Sequence, residues 1–170
     1  MRIDLSELRQ EDVSSIILEG QIKKDILEIA GRKIHFVEPI KYDGAVYKTD
    51  NGEVVHVNIT YAYKETCGRC LEPFNKKGTA VLTGQLINKT SNTLEDEIED
   101  AIYYEDDKLE LTDDIINTIA LSLPMKPLCS EKCKGICPSC GTNLNREKCD
   151  CEVDDVDPRL AILKEFKIDN

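Results

Sequence analysis

Residues 54–66 read V-V-H-V-N-I-T-Y-A-Y-K-E-T, and this stretch decides the fold class. Val55, Val57, Ile59, Tyr61 and Tyr63 fall on one side of a two-residue period. His56, Asn58, Thr60, Ala62 and Lys64 fall on the other. Such alternation predicts a strand with one buried and one solvated face. Working outward, Asn51-Gly52 and Asp43-Gly44 are dipeptides suited to tight hairpin turns, because both positions tolerate positive φ. Residues 33–66 therefore read as a β-meander. Ile34, Phe36 and Ile40 suggest an earlier strand, with Pro39 marking an edge or a bend. A further strand is expected at 79–87. Near the start, Ile3 and Leu5 suggest a short strand, and Ser6 could cap a short helix.

Helical signals come later. Thr112-Asp113-Asp114 places a hydroxyl cap and two acids at a helix start. Ile115, Ile116, Ile119, Ala120 and Leu123 form an apolar stripe that Pro124 ends. A last helix is expected from Asp157-Pro158, with Leu160, Leu163 and Phe166 on its apolar side. The fold class expected is α+β. It comprises a β-rich antiparallel sheet or small barrel-like domain, a few helices, and a C-terminal cysteine-rich zinc-binding module. The expected organisation is a β-rich domain over 1–90, an acidic connecting segment over 91–111, and a third part over 112–170. That third part holds the helix, the cysteine module and a C-terminal helix packing on the β-domain.

The chain has 170 residues, 22 basic and 33 acidic, for a net charge of −11. At 41% hydrophobic it can bury a core. No apolar run reaches the roughly 20 residues that span a bilayer. Asp4, Glu7, Glu11 and Asp12 interrupt any apolar signal core at the start. These features predict a cytoplasmic protein without membrane contact. The overall charge also excludes a generally basic nucleic-acid binder. The excess is local: residues 91–114 carry 11 acids against Lys108 alone. The plain reading of that run is a solvated linker. The functional reading is a contact for a basic partner.

Eight cysteines are the strongest chemical signal. Six follow the pattern Cys129-x3-Cys133-x3-Cys137-x2-Cys140-x8-Cys149-x-Cys151. The two-residue gap in Cys137-Pro138-Ser139-Cys140 lets one tight turn aim two sulfurs at one ion, and tetrahedral zinc takes four such ligands. Cys149 and Cys151 could complete the set, provided the chain turns between them. Without a signal peptide, paired cysteines favour metal over disulfides. The surrounding segment has too few large apolar residues for a core of its own, so bound zinc would hold it folded. Iron in a rubredoxin-like site is the alternative. Cys67-Gly68-Arg69-Cys70 is a second knuckle, and one division of the eight places Cys67, Cys70, Cys129 and Cys133 on a second ion. A structural pair of buried thiols is the competing reading of Cys67 and Cys70.

C-x-x-C can also be a redox pair, but the flanking pattern is an antiparallel meander rather than a βαβ unit. A catalytic zinc site would usually include His or carboxylate. His35 and His56 lie in strand-like stretches far from the cluster. No phosphate loop, G-x-G-x-x-G or nucleophile elbow is present. No enzyme is expected and no small-molecule substrate is implied.

The motifs together carry a resemblance. E-T-C-G-R-C-L at 65–71 follows the β-rich half, and the acidic run follows that. Then come L-S-L-P at 121–124, C-K-G-I-C-P-S-C-G-T-N-L-N at 133–145, C-D-C at 149–151 and D-P-R-L at 157–160. In this order they resemble the YceD family, also called large ribosomal RNA subunit accumulation protein. The resemblance covers the chain from about residue 54 onward. It implies a bacterial cytoplasmic protein needed for normal levels of large-subunit (23S) ribosomal RNA, with plastid relatives in a similar role.

The function expected is a non-enzymatic factor in ribosome biogenesis. Lys132, Lys134, Arg146 and Lys148 could touch RNA from the zinc module, with Arg69 and Arg159 adding contacts. The partners expected are large-subunit ribosomal RNA or its precursors, directly or through protein, and a basic ribosomal protein. The alternatives are a protein-only interaction module and a thiol-redox protein.

Overall fold

The computed structural model describes residues 2–10, 12–89 and 100–151. Among them are nine strands, one short 3-10 helix at Ser6–Arg9 and one α-helix. The strands are β1 (Arg2–Asp4), β2 (Ser15–Ile22), β3 (Ile26–Ile29), β4 (Arg32–Phe36), β5 (Ile40–Thr49), β6 (Gly52–Thr66), β7 (Pro73–Asn88), β8 (Ala101–Tyr104) and β9 (Lys108–Glu110). The helix α1 spans Thr112–Ser122. The described fold is thus mostly β. The expected C-terminal helix and Arg159 lie outside the described residues.

The alternating stretch is β6, the centre of a seven-stranded sheet. Val55, Val57, Ile59, Tyr61 and Tyr63 are all buried, as the alternation predicts. Burial of each such side chain contributes about 1.5–3 kcal/mol. Ala62, expected on the solvated side, is buried too. One edge of β6 pairs with β7 from Glu53 to Thr66. The other pairs with β5 up to Thr60 and then with β4 at Tyr63 and Lys64. The β6–β7 hairpin therefore outruns β5, and its far end carries the first cysteine pair.

Several expectations are corrected. Asp43-Gly44 is not a turn: both residues sit inside β5, where Gly44 pairs with Leu18 and Val57. A Cβ on Gly44 would lie 2.1 Å from the His56 carbonyl oxygen, so glycine serves close strand approach there. The hairpin turn is Asp50-Asn51, followed by Gly52 at φ 119°. The meander over 33–66 is also incomplete, because β4 pairs with β3 and β6 but not with β5. Pro39 sits in the break after β4, and Ile40 opens the next strand. The strands β2 and β3 were not foreseen. The β3–β4 turn uses Ala30 and Gly31, both at positive φ, the geometry of a tight hairpin turn.

Ser6 is the first residue of the 3-10 helix, and its amide donates to Asp4 Oδ1 at 2.9 Å. Thr112 likewise begins α1 rather than capping it. Part of the acidic run is paired structure: β8 lies parallel to β7, and β9 pairs with β1. The β7–β8 pair departs from a purely antiparallel sheet. Among the described residues no pairing closes the sheet, and β2 and β3 each have one partner.

The core fills the space between the buried sheet face and α1. Ile115, Ile116, Ile119 and Leu123 share one buried cluster with Leu82, Leu86 and the apolar residues of β6, and α1 packs on β7. Tyr61 Oη meets Ser122 Oγ at 2.8 Å, tying the central strand to the helix end. Pro124 follows directly, and the chain turns toward the cysteines. Among the described residues no helix is long and apolar enough to cross a membrane.

Two candidate metal centres and an adjoining cleft

The first knuckle is the loop of the β6–β7 hairpin. Thr66 pairs with Pro73, and the Cys67 amide donates to the Glu72 carbonyl at 2.9 Å. Cys67 and Cys70 meet Cys129 and Cys133 from the segment after α1. The four sulfurs lie within 4.8 Å of one another. Cys67 Sγ is 3.8 Å from Cys133 Sγ, and Cys70 Sγ is 3.7 Å from Cys129 Sγ. A metal with four sulfurs at about 2.3 Å in a tetrahedron requires edges of about 3.8 Å. A disulfide requires about 2.05 Å. The spacing thus fits a four-coordinate ion and not two disulfides.

This centre bridges segments nearly sixty residues apart, so several contacts hold its halves in register. The Gly68 amide donates to the Pro127 carbonyl at 2.8 Å. The Arg69 guanidinium donates to the Cys133 carbonyl at 3.0 Å and to the Glu131 carbonyl at 3.4 Å. Arg32 donates to the Pro124 and Met125 carbonyls at 2.9 and 3.3 Å. The same Arg32 side chain pairs with Glu65 Oε1 at 2.7 and 2.6 Å. Glu65 is buried, and its Oε2 has no hydrogen-bond partner among the described residues. Phe74 and Leu128 pack beside the buried cysteines.

Cys137, Cys140, Cys149 and Cys151 form the second group, again with sulfurs within 4.8 Å. It is local in sequence and more exposed, with only Cys137 buried. The Gly141 amide donates to the Cys137 carbonyl at 2.9 Å, closing the second knuckle. Cys149 and Cys151 reach the same point because residues 141–150 form no strand. Asn145 joins the groups: its amide nitrogen lies 3.4 Å from Cys133 Sγ, and its oxygen accepts from the Lys134 amide at 2.8 Å.

The thiol chemistry suits a cation. Burial raises the Cys67 thiol, but backbone amides at Cys70, Cys129 and Arg69 outweigh it and hold Cys67 at about 6. The Thr142 hydroxyl and amide hold Cys140 at about 6. Hydrogen bonding to Cys133, with burial, pushes Cys129 up to about 12. Hydrogen bonding to Cys140 does the same to Cys151. Each group therefore mixes thiolates with retained protons. A divalent ion among them would displace those protons, since the thiolate is the ligand.

The basic residues expected at RNA divide. Arg69 is spent on the carbonyls of the 131–133 loop. Arg146 pairs with Glu72 at 3.2 Å on the surface. Lys132, Lys134 and Lys148 are exposed, and their ammonium groups have no partner among the described residues. Beside the first centre opens a cleft of about 880 Å3, lined in part by Lys33, His35, Lys64, Leu71, Pro73 and Pro127. Sequence reading missed this cleft, because its walls come from β4, from β6 and from the segment after α1.

Among the described residues these features define a mostly β-sheet protein with one α-helix and two four-cysteine groups, each able to hold a metal ion. Residues 55–167 match the family described as large ribosomal RNA subunit accumulation protein YceD, and the chain belongs to that family. Uncharacterised proteins of Mycobacterium tuberculosis and Mycobacterium bovis are each 35% identical over 125 residues. That match covers 73% of this chain and 60% of theirs, so it spans less than two thirds of these relatives. A chloroplastic large ribosomal RNA subunit accumulation protein YCED homolog of Arabidopsis thaliana is 36% identical over 44 residues. Those residues are 26% of this chain and 14% of the plant protein. No solved structure matches the chain.

Proposed function

We propose that this protein is a non-enzymatic factor in ribosome biogenesis that supports accumulation of large-subunit (23S) ribosomal RNA. Family membership over residues 55–167, a span containing both cysteine groups, carries the reading. Two zinc ions are the proposed cofactors, one on Cys67, Cys70, Cys129 and Cys133 and one on Cys137, Cys140, Cys149 and Cys151. All-thiolate tetrahedral sites without an open position are structural rather than catalytic. In this reading zinc fastens the cysteine segment to the end of the β6–β7 hairpin. The proposed organisation is the β-rich part over 1–90, an acidic stretch over 91–111, and the helix and zinc module over 112–170. Cytoplasmic placement suits thiolate sites, which a reducing compartment preserves.

The test is depletion of the protein in its host, followed by the ratio of large- to small-subunit ribosomal RNA and a gradient profile of the subunits. A selective fall in the large-subunit species, restored by the wild-type gene, is expected. An unchanged ratio would remove the reading.

A second reading follows from charge. The 11 acids within 91–114 suit a basic ribosomal protein. Neutralising 95–107 should weaken that association most visibly at low salt; binding that does not change would count against it.

A further inference from the structure

The two knuckles, Cys67-Gly68-Arg69-Cys70-Leu71 and Cys137-Pro138-Ser139-Cys140-Gly141, close in the same way. In each, the amide of the fifth residue donates to the carbonyl of the first, at 3.0 and 2.9 Å. Both fifth residues are left-handed, Leu71 at φ 59° and Gly141 at φ 75°. Glycine adopts that conformation freely, whereas a side chain there is strained. The first knuckle nevertheless keeps a leucine, and it is 63% exposed. Neither backbone geometry nor core packing accounts for that side chain. An observed backbone outlier of this kind is the starting point for a hypothesis of function.

Leu71 lines the cleft together with Pro73 and Pro127, and Lys33 and Lys64 bring positive charge to the same lining, beside His35. His35 and Lys64 are directly opposed across β4 and β6. Lys64 pairs with Asn75, so Lys77 is its diagonal neighbour on the same sheet face. Lys33 also lines the cleft and meets Glu28 at 3.5 Å, with both side chains about two-thirds exposed. The ammonium groups of Lys64 and Lys77 have no partner among the described residues. Glu65, the carboxylate that lines the cleft, is already paired with Arg32. In a chain of net charge −11 this is a local reversal of sign.

We propose that this cleft binds single-stranded RNA, with Leu71 against a base face and Lys64 on a phosphate. The inference rests on the reading of the protein as a ribosomal RNA factor. Unpaired RNA supplies a negative charge and a bare apolar face at every nucleotide, whereas a duplex hides its base faces. An acidic peptide would also meet the lysines and is the competing occupant.

The test uses the full-length, metal-loaded protein and a fluorescein-labelled single-stranded RNA of mixed sequence, with a labelled peptide of alternating glutamate and leucine beside it. Leu71→Gly removes the side chain and relieves the strained backbone, so metal content and thermal midpoint should not fall. RNA affinity should fall about fivefold or more, the loss expected of a contact anchor. Lys64→Ala should lower the slope of log affinity against log salt by about 0.7, as loss of one phosphate contact on a single strand does. RNA binding that both variants leave unchanged would overturn the cleft, as would peptide binding without RNA binding, or neither. In the host, variants that fully restore large-subunit RNA would overturn the cleft alone. A deletion that never lowers that RNA would instead remove the functional reading itself.

Discussion

The Asn145 side-chain nitrogen lies 3.4 Å from Cys133 Sγ, so a residue of the second cysteine loop donates to a sulfur of the first centre. Its oxygen is held by the Lys134 amide and its nitrogen also reaches Asn143 Oδ1, which orients the donor. Such outer contacts fix ligand orientation and stabilise thiolate charge. Asn145→Ala should lower metal affinity at the first centre by about tenfold or more. Competition with a chromophoric chelator should resolve one weakened and one unchanged metal. Equal affinity of both centres in the variant would show that this contact does not matter.

Metal stoichiometry follows from the two separate groups of four sulfurs. Elemental analysis of the purified protein should find two zinc per chain. Chelation should release the cysteine segment while leaving the strands, because the main hydrophobic core lies between the sheet and α1 and only a small cluster with Phe74 and Leu128 packs at the sulfurs. Hydrogen exchange should show lost protection at 126–151 with β5, β6 and β7 still protected. Retained protection at 126–151 after complete metal removal would contradict the structural role.

Arg69 looks like a surface base in sequence, yet its guanidinium spans two carbonyls of the opposing loop. Charged donors of this kind contribute about 1.5–3 kcal/mol when well formed, and partial exposure places Arg69 at or below the low end. Arg69→Ala should lower the thermal midpoint and weaken the first centre. Arg69→Lys should rescue little, since one ammonium cannot reproduce the fork. An alanine variant with unchanged stability and weaker RNA binding would return Arg69 to the role of a nucleic-acid contact.

Gly44 tests the sheet. A Cβ there would meet the His56 carbonyl at 2.1 Å and the Val57 Cα at 2.7 Å, both backbone atoms. Gly44→Ala should therefore cost about 1–3 kcal/mol, as overpacking does, and shift the urea midpoint downward. Gly31→Ala is the contrast: nothing stands within 4 Å, so only its positive φ opposes the change. A Gly44 variant as stable as wild type would mean that β2, β5 and β6 can separate without loss.

Much of the site was legible before the fold. The spacing of Cys137 and Cys140, a supply of eight sulfurs sufficient for two four-sulfur sites, and the period-two run in β6 are all local features of the sequence, whereas the division into these two fours stood beside the reading of Cys67 and Cys70 as a buried thiol pair. The turn at Asp43-Gly44 was misread because the same dipeptide serves either a positive φ or a close strand approach, and only the neighbours decide. The strand β2 went unseen because it pairs with β5 across some twenty residues, and its sequence, S-I-I-L-E-G-Q-I, alternates weakly. The strands β8 and β9 were hidden inside an acidic run that composition alone reads as linker.

What the sequence determined by itself is chemistry and periodicity: thiolates in pairs, a strand with one apolar face, a helix stopped by Pro124, and one concentrated block of acid. These are properties of neighbours along the chain. Only the tertiary structure decided which cysteines meet, because Cys67 and Cys133 are brought to 3.8 Å by a hairpin that outruns its neighbour strand and by Arg32 and Arg69 gripping the returning segment. Only it placed the strained Leu71 beside Lys64 and His35. Those relations depend on register and packing across the sheet, which no local pattern encodes.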